Sequence, residues 1–185
     1  DKIHWLFITA VLIPINWTFE TLKWQVLIKD FEKLSFGKAY QAILSGITFS
    51  LFTPNRIGEY GGRILLVKPE NNWKAVIATL VGSFSQLLVL LSCGILGLLL
   101  FIYLFLEIDQ WIWLSIFFVG ILFTFLMLFC FYNIDLVIPI VKRIPFAYKL
   151  RRFVKDVNVL RNYSSSILSL ALLFSFLRYV TYTLQ

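Results

Sequence analysis

The sequence predicts an all-α fold: a polytopic integral membrane helix bundle with a broken or re-entrant helix pair and a cytoplasmic amphipathic helix. Three observations carry this. Of 185 residues, 59% are hydrophobic and only 15% are charged, against about 25% charged in ordinary soluble domains. A soluble fold of this size leaves too much surface in water to hide that apolar area, whereas lipid solvates it. The apolar residues also come in runs of bilayer length, and the seventeen Lys and Arg fall between those runs. Together these exclude a soluble globular enzyme, a disordered chain and a disulfide-rich secreted module. A single transmembrane domain is expected over 1–185. It reads as an internal fragment of a longer chain, because it opens on Asp1 and closes inside an apolar stretch.

The first run, Ile3–Phe19, has no formal charge and continues amphipathically to about Ile28. It lacks a small-residue cleavage site, so it reads as a span and not as a signal peptide. Pro14 is expected to kink it, and Trp5, Trp17 and Trp24 suit interfacial depths. After a polar connection, Lys29–Lys38, comes Ala39–Thr53, fifteen residues and therefore short for a span. It runs into Pro54 and a glycine-rich turn, followed by a second short apolar piece, Ile64–Val67. This is the pattern of a discontinuous helix pair. Lys68–Lys74 is a polar turn. Ala75–Leu106 is then uncharged for thirty-two residues, about 48 Å as helix against a hydrocarbon core of about 30 Å. Its first third is small and hydroxylic and is expected to pack on other helices. Gly82, Gly94 and Gly97 would permit close approach or a bend. Glu107–Gln110 turns into the span Trp111–Tyr132. The last run, Ser164–Gln185, is a span carrying Arg178.

Residues 133–163 differ. Seven basic residues stand there against two acidic ones, a net of +5, with apolar residues at helical spacings between them. That describes an amphipathic helix on a membrane surface. Since Glu107–Gln110 has no basic residue, the positive-inside rule makes 133–163 cytoplasmic. Counting back, Lys68–Lys74 is cytoplasmic too. Whether Ala39–Val67 re-enters or crosses stays open. Re-entry is favoured, because it puts the three lysines of Lys29–Lys38 on the cytoplasmic side.

The informative constellation is Thr53–Arg63, TPNRIGEYGGR. Pro54, Gly58, Gly61 and Gly62 mark a structural break, and Arg56, Glu59 and Arg63 fall within eight residues. On a helix Glu59 and Arg63 share one face. Two guanidinium groups flanking a carboxylate suit an anionic head group, since guanidinium binds phosphate bidentately. The plainer reading, a cytoplasmic turn whose charges face water, stays open. Arg178, costly in a span, is expected to face the bundle interior, with Glu59 as one partner and snorkelling as the alternative. Glu20 reads as interfacial. Gln86, Ser83 and Ser85 read as cross-helix hydrogen-bonding groups, and Cys93 and Cys130 as small buried hydrophobes. His4 is the single histidine and is placed at an interface. No catalytic residue, metal site or cofactor is expected, and no nucleic acid partner, because the basic segment adjoins spans and attracts anionic lipid more simply.

The stretch Ser45–Gly97 resembles the membrane region of the lysylphosphatidylglycerol synthase / multiple peptide resistance factor superfamily. The residues that carry this are Pro54-Asn55-Arg56-Ile57-Gly58-Glu59 followed by Arg63, preceded by a glycine-containing apolar helix. The basic loop and the serine-containing helix after it, Asn162–Gln185, resemble the family's closing half. One departure is GSFSQ at Gly82–Gln86, where relatives carry an acidic–basic pair. The resemblance implies an inner-membrane domain that moves a modified phospholipid between leaflets, and not the aminoacylation carried by a separate soluble domain in some relatives.

The expected function is therefore binding and translocation of an anionic or aminoacylated phospholipid, or of a lipid-linked intermediate, across the bacterial inner membrane. Arg56, Glu59, Arg63 and Arg178 would bind the lipid, and a homo-oligomer is compatible with this. The alternatives are the membrane-embedded part of a lipid-modifying transferase and a structural membrane subunit.

Overall fold

Helices account for every apolar run, because a backbone without access to water must satisfy its own hydrogen bonds. The computed structural model describes residues 3–106, 108–143 and 155–185. The helices are α1 (Ile3–Ile28), α2 (Phe36–Leu51), α3 (Gly58–Ile64), α4 (Asn72–Phe105), α5 (Gln110–Tyr132), α6 (Val137–Arg143) and α7 (Ser165–Leu184). Short 3-10 turns lie at Pro54–Arg56, Pro69–Asn71, Ile134–Leu136 and Val157–Asn162. The spans α1, α5, α7 and the continuous Pro69–Phe105 are long and apolar enough to cross a membrane. The chain is thus an all-α integral membrane bundle. α1 runs unbroken through Pro14. Asp109 caps α5 by accepting the Trp111 amide at 2.8 Å, and Ser164 caps α7 by accepting the Ile167 amide.

Side-chain contacts fix the directions. Asn71 donates to the Phe31 carbonyl at 2.9 Å and to the Glu32 carboxylate at 2.8 Å. The connection before α2 and the turn after α3 therefore lie on one face, and the segment between them goes in and comes back. α2 has only sixteen residues, about 24 Å, and its return partner α3 is shorter still, so this pair re-enters and does not cross. The helical return leg starts at Gly58, earlier than the apolar piece Ile64–Val67 suggested. α1 and α7 are antiparallel: the Tyr163 hydroxyl donates to the Leu27 carbonyl at 3.1 Å, and Asn16 donates to Thr181 Oγ1 at 3.1 Å. Ser85 of α4 meets Ser175 of α7 at 2.8 Å, so these two run the same way. One face of the bundle thereby collects Lys29, Lys33, Lys38, Lys68, Lys74, Arg143, Lys155 and Arg161. The other holds the α4–α5 turn.

The core sits toward this basic face. Trp24, Leu27 and Ile28 pack with Ala39, Ala42 and Ile43 of α2, Ala75, Ala78 and Val81 of α4, and Leu168 and Ala171 of α7. The small residues of early α4 let the helices close up, while most of its later leucines and most of α5 stay exposed, as lipid-facing residues do. Gly82 packs on Leu27 and Lys23, but Gly94 and Gly97 face open space. Three expectations need correction. Trp24 is not interfacial: it is buried and donates its indole N–H to Thr79 Oγ1 at 3.2 Å. Cys130 is exposed and Cys93 only partly buried, because α5 and late α4 have little protein to pack on. Of the hydroxyls on early α4, Ser85 bonds across helices, whereas Ser83 is exposed. In the 133–163 segment, Ile134, Ile138, Val157, Val159 and Leu160 face the core. Residues 144–154, expected to carry the middle of the amphipathic helix, lie outside the described residues.

Candidate functional site

The hairpin α2–α3 is held by glycine-to-backbone contact. A Cβ on Gly62 would lie 2.6 Å from Gly46 Cα and N, and one on Gly46 would lie 2.9 Å from the Glu59 carbonyl oxygen. Only glycine at both positions allows this approach. The tip reverses at Pro54–Ile57, where Asn55 and Arg56 take left-handed backbone, φ 57 and 58, costly for non-glycine residues. Pro54 and Gly58 bracket that reversal, whereas Gly61 and Gly62 lie within α3. The close packing turns one face of α3 into the bundle, so that Arg63 points at α1.

There Arg63 Nη2 donates to Glu20 Oε1 at 2.8 Å. The same nitrogen pairs with Glu59, one turn earlier on α3. Lys23 Nζ reaches Glu20 Oε2 at 2.7 Å, and Arg178 Nη1 reaches the same oxygen at 2.5 Å. Arg178 is aimed by Asn16, whose Oδ1 accepts from its Nε at 2.9 Å, and its Nη2 donates to the Tyr182 hydroxyl at 3.2 Å. At the tip, Arg56 stands 3.4 Å from Glu59. Side-chain exposure falls from 66% at Arg56 to 17% at Glu59 and 3% at Arg63, then rises from 6% at Glu20 to 14% at Arg178. The groups form a chain that enters the bundle from the hairpin tip and leaves along α7.

The charges do not balance. With ordinary ionisation, Lys23, Arg63 and Arg178 face Glu20 and Glu59, a buried excess of one positive charge, and Arg56 adds a second at the edge. Ion pairs are tolerated inside a low-dielectric bundle only when charges and hydrogen bonds are matched, yet Arg63 Nε is buried without a hydrogen-bond partner. Such a site has donor capacity for an anion.

Arg56, Glu59 and Arg63 are thus brought together, and Arg178 joins them, through Glu20 and not through Glu59. The central group is the one the sequence placed at an interface. Glu20 is 4% exposed, because α1 continues two further turns and α3 and α7 close over it. Its signal was present: Asn16, Glu20 and Lys23 recur at i, i+4 and i+7, one polar stripe on a spanning helix. Polar groups in a span normally face the bundle interior.

Four spans, a re-entrant hairpin and a buried ion-pair chain define an integral membrane protein with a polar centre. The chain belongs to the family described as "Lysylphosphatidylglycerol synthase TM region", which matches residues 1–184. Its function is accordingly related to membrane lipid. No curated protein and no solved structure matches the chain. At Gly82–Gln86, Ser85 and Gln86 bond to Ser175, at 2.8 Å to its hydroxyl and 3.3 Å to its carbonyl.

Proposed function

We propose that this domain binds the head group of an anionic or aminoacylated phospholipid, or of a lipid-linked intermediate, at the Glu59–Arg63–Glu20–Arg178 chain. It thereby assists passage of that lipid between leaflets of the bacterial cytoplasmic membrane, with the basic face toward the cytoplasm. The observation that carries this reading is the convergence of Lys23, Arg63 and Arg178 on the buried Glu20 carboxylate, with Arg63 Nε left unpartnered beside it. The carboxylates of Glu20 and Glu59 occupy guanidinium donors that a phosphate would use. A head group entering from the hairpin side exchanges with Glu59 first and then meets Arg63 and Arg178. Charge-assisted bonds of similar strength replace one another along the way, so no charge stands bare in the hydrocarbon. An ammonium on the head group would be received by the carboxylates released in the exchange.

Enclosure of Glu20 and Arg63 favours a second reading, in which the cluster only locks α1, α3 and α7 as a structural subunit. A leaflet-resolved lipid assay in proteoliposomes separates the two. Under the transport reading, Glu59→Gln and Arg63→Ala slow the exchange of labelled phosphatidylglycerol at least tenfold while expression and elution remain normal. Normal exchange in both variants would remove the site assignment.

A further inference from the structure

The basic face carries a second constellation that the cluster does not use. A cleft of about 800 Å³ opens between the connection after α1 and the foot of the hairpin, lined among others by Lys29, Lys33, Lys38 and Lys68 with Asp30 and Leu66. Among the described residues no ion pair engages any of these four lysines. Glu32, also in its wall, is already held by Asn71 at 2.8 Å. The walls are fixed: the Phe31 and Glu32 amides donate to the Ile28 carbonyl at 3.1 and 2.9 Å, Gln25 donates to the Leu34 carbonyl at 3.0 Å, and Asn71 clamps the Phe31 carbonyl. A topogenic charge needs only to stay on its side of the membrane. It does not need four unpaired ammonium groups around one braced concavity.

We infer that this cleft is a docking site for the phosphate-bearing head group of an anionic glycerophospholipid in the leaflet on the basic face. Its size lies within the range of small-molecule sites and exceeds what a lone phosphate ion would fill. Its position points to lipid: it lies between the end of the spanning helix α1 and the start of α2, on the basic face. Its hairpin wall includes Leu66, beside the exposed Leu65, so an acyl chain leaving the cleft along the hairpin meets apolar surface. Lysine suits such a site as a mobile point charge that follows phosphate without demanding one geometry. Glu20 lies eight residues, about 12 Å of helix, before the end of α1. If the proposed translocation holds, on which this step of the inference rests, the cleft is the waiting position from which a head group is passed to the buried chain.

The test measures binding and not transport, so it stands whether or not the lipid is moved. Fluorescent phosphatidylglycerol is titrated onto the detergent-solubilised chain, with phosphatidylcholine as the neutral comparison. The proteins are the unaltered chain, Lys33→Gln/Lys38→Gln/Lys68→Gln and, as a control of basic residues outside the cleft, Lys155→Gln/Arg161→Gln. All three lysines are exposed, so the triple variant retains its fold, checked by elution and melting profiles. Each surface lysine contributes enough that losing three weakens phosphatidylglycerol binding about 100-fold. Phosphatidylcholine binding stays unchanged, the salt dependence flattens and Lys155→Gln/Arg161→Gln retains the site. Unchanged phosphatidylglycerol affinity in the triple variant overturns the inference, as does equal weakening in Lys155→Gln/Arg161→Gln. Displacement by glycerol phosphate at the same concentration as lipid overturns the lipid source. Normal cleft binding with no leaflet exchange overturns the translocation proposal alone.

Discussion

Replacing Glu20 by Gln keeps the side-chain volume and removes the one carboxylate that three cations share. Its consequences are unequal. Arg63 retains Glu59, and Arg178 retains Asn16 and Tyr182. Lys23, 1% exposed, loses its ion-pair partner. Removing one member of a buried pair costs about 3–5 kcal/mol, because the other charge stays in low dielectric without compensation. For a chain of this size each kcal/mol moves Tm by about 2–4 °C, so Glu20→Gln is expected to melt roughly 6–20 °C lower. Tryptophan fluorescence in detergent reads the transition. Glu59→Gln is the comparison: its side chain is partly exposed and Arg63 keeps Glu20, so its loss stays near 1 kcal/mol. A second substitution, Lys23→Met, removes the stranded charge and recovers at least half of the Glu20→Gln loss, since an apolar replacement of a buried pair is often neutral. Equal shifts in the two single variants, or no recovery in the double variant, would refute the view of Glu20 as the shared counter-charge.

Gly62→Ala drives a methyl into the Gly46 backbone and is expected to cost about 1–3 kcal/mol by overpacking, whereas Gly61→Ala, with nothing within 4 Å, is neutral or slightly stabilising; paired melting curves check the contrast. Tyr163→Phe removes the hydroxyl that donates to the Leu27 carbonyl and is expected to cost about 1 kcal/mol. Burial, with Asp30 adding to it, pushes the Tyr163 phenol up. The unfolded chain therefore releases this proton above its ordinary value of about 10 while the folded chain keeps it. Stability should be full below about pH 10 and fall above it, and this alkaline component should be missing from Tyr163→Phe melting profiles. In a background lacking Cys93 and Cys130, Ser35→Cys and Glu70→Cys should react with an impermeant maleimide from one side of the membrane and Asp109→Cys from the other. Labelling of Ser35→Cys and Glu70→Cys from opposite sides would contradict re-entry.

The four long helices were legible because lipid imposes length and hydrophobicity on every span, and both can be counted along the chain. The hairpin was legible as a break, since Pro54 and the glycines interrupt an apolar pattern too short to cross. The outer half of the charge chain was legible for the same reason: Arg56, Glu59 and Arg63 are neighbours in sequence. Its inner half was not. Glu20 meets Arg63 at a separation of 43 residues and Arg178 at 158, and burial is set by those distant helices. Read alone, a carboxylate, a lysine and a tryptophan following an apolar run look like the edge of a bilayer. Only the continuation of α1 to Ile28 and the closure of α3 and α7 turn that edge into a centre. Cys130 failed in the opposite sense: it is apolar, but near the end of α5 it stays exposed while its neighbour Phe131 takes the buried side.

The distribution of charge along the chain also sets an order of birth. Glu20 and Lys23 are made first and match each other within one turn of α1. Glu59 and Arg63 follow on the hairpin and match in the same way. When Asn71 staples that hairpin to the end of α1, the growing chain carries a polar centre whose two negative and two positive groups cancel, and it can rest in the bilayer through the making of α4 and α5. The further positive charge comes on α7, where Arg178 meets Asn16 and Glu20 of α1. The buried part of the cluster is therefore matched one-to-one within α1 and within the hairpin, and it is the docking of α7 that adds a third buried cation to two carboxylates.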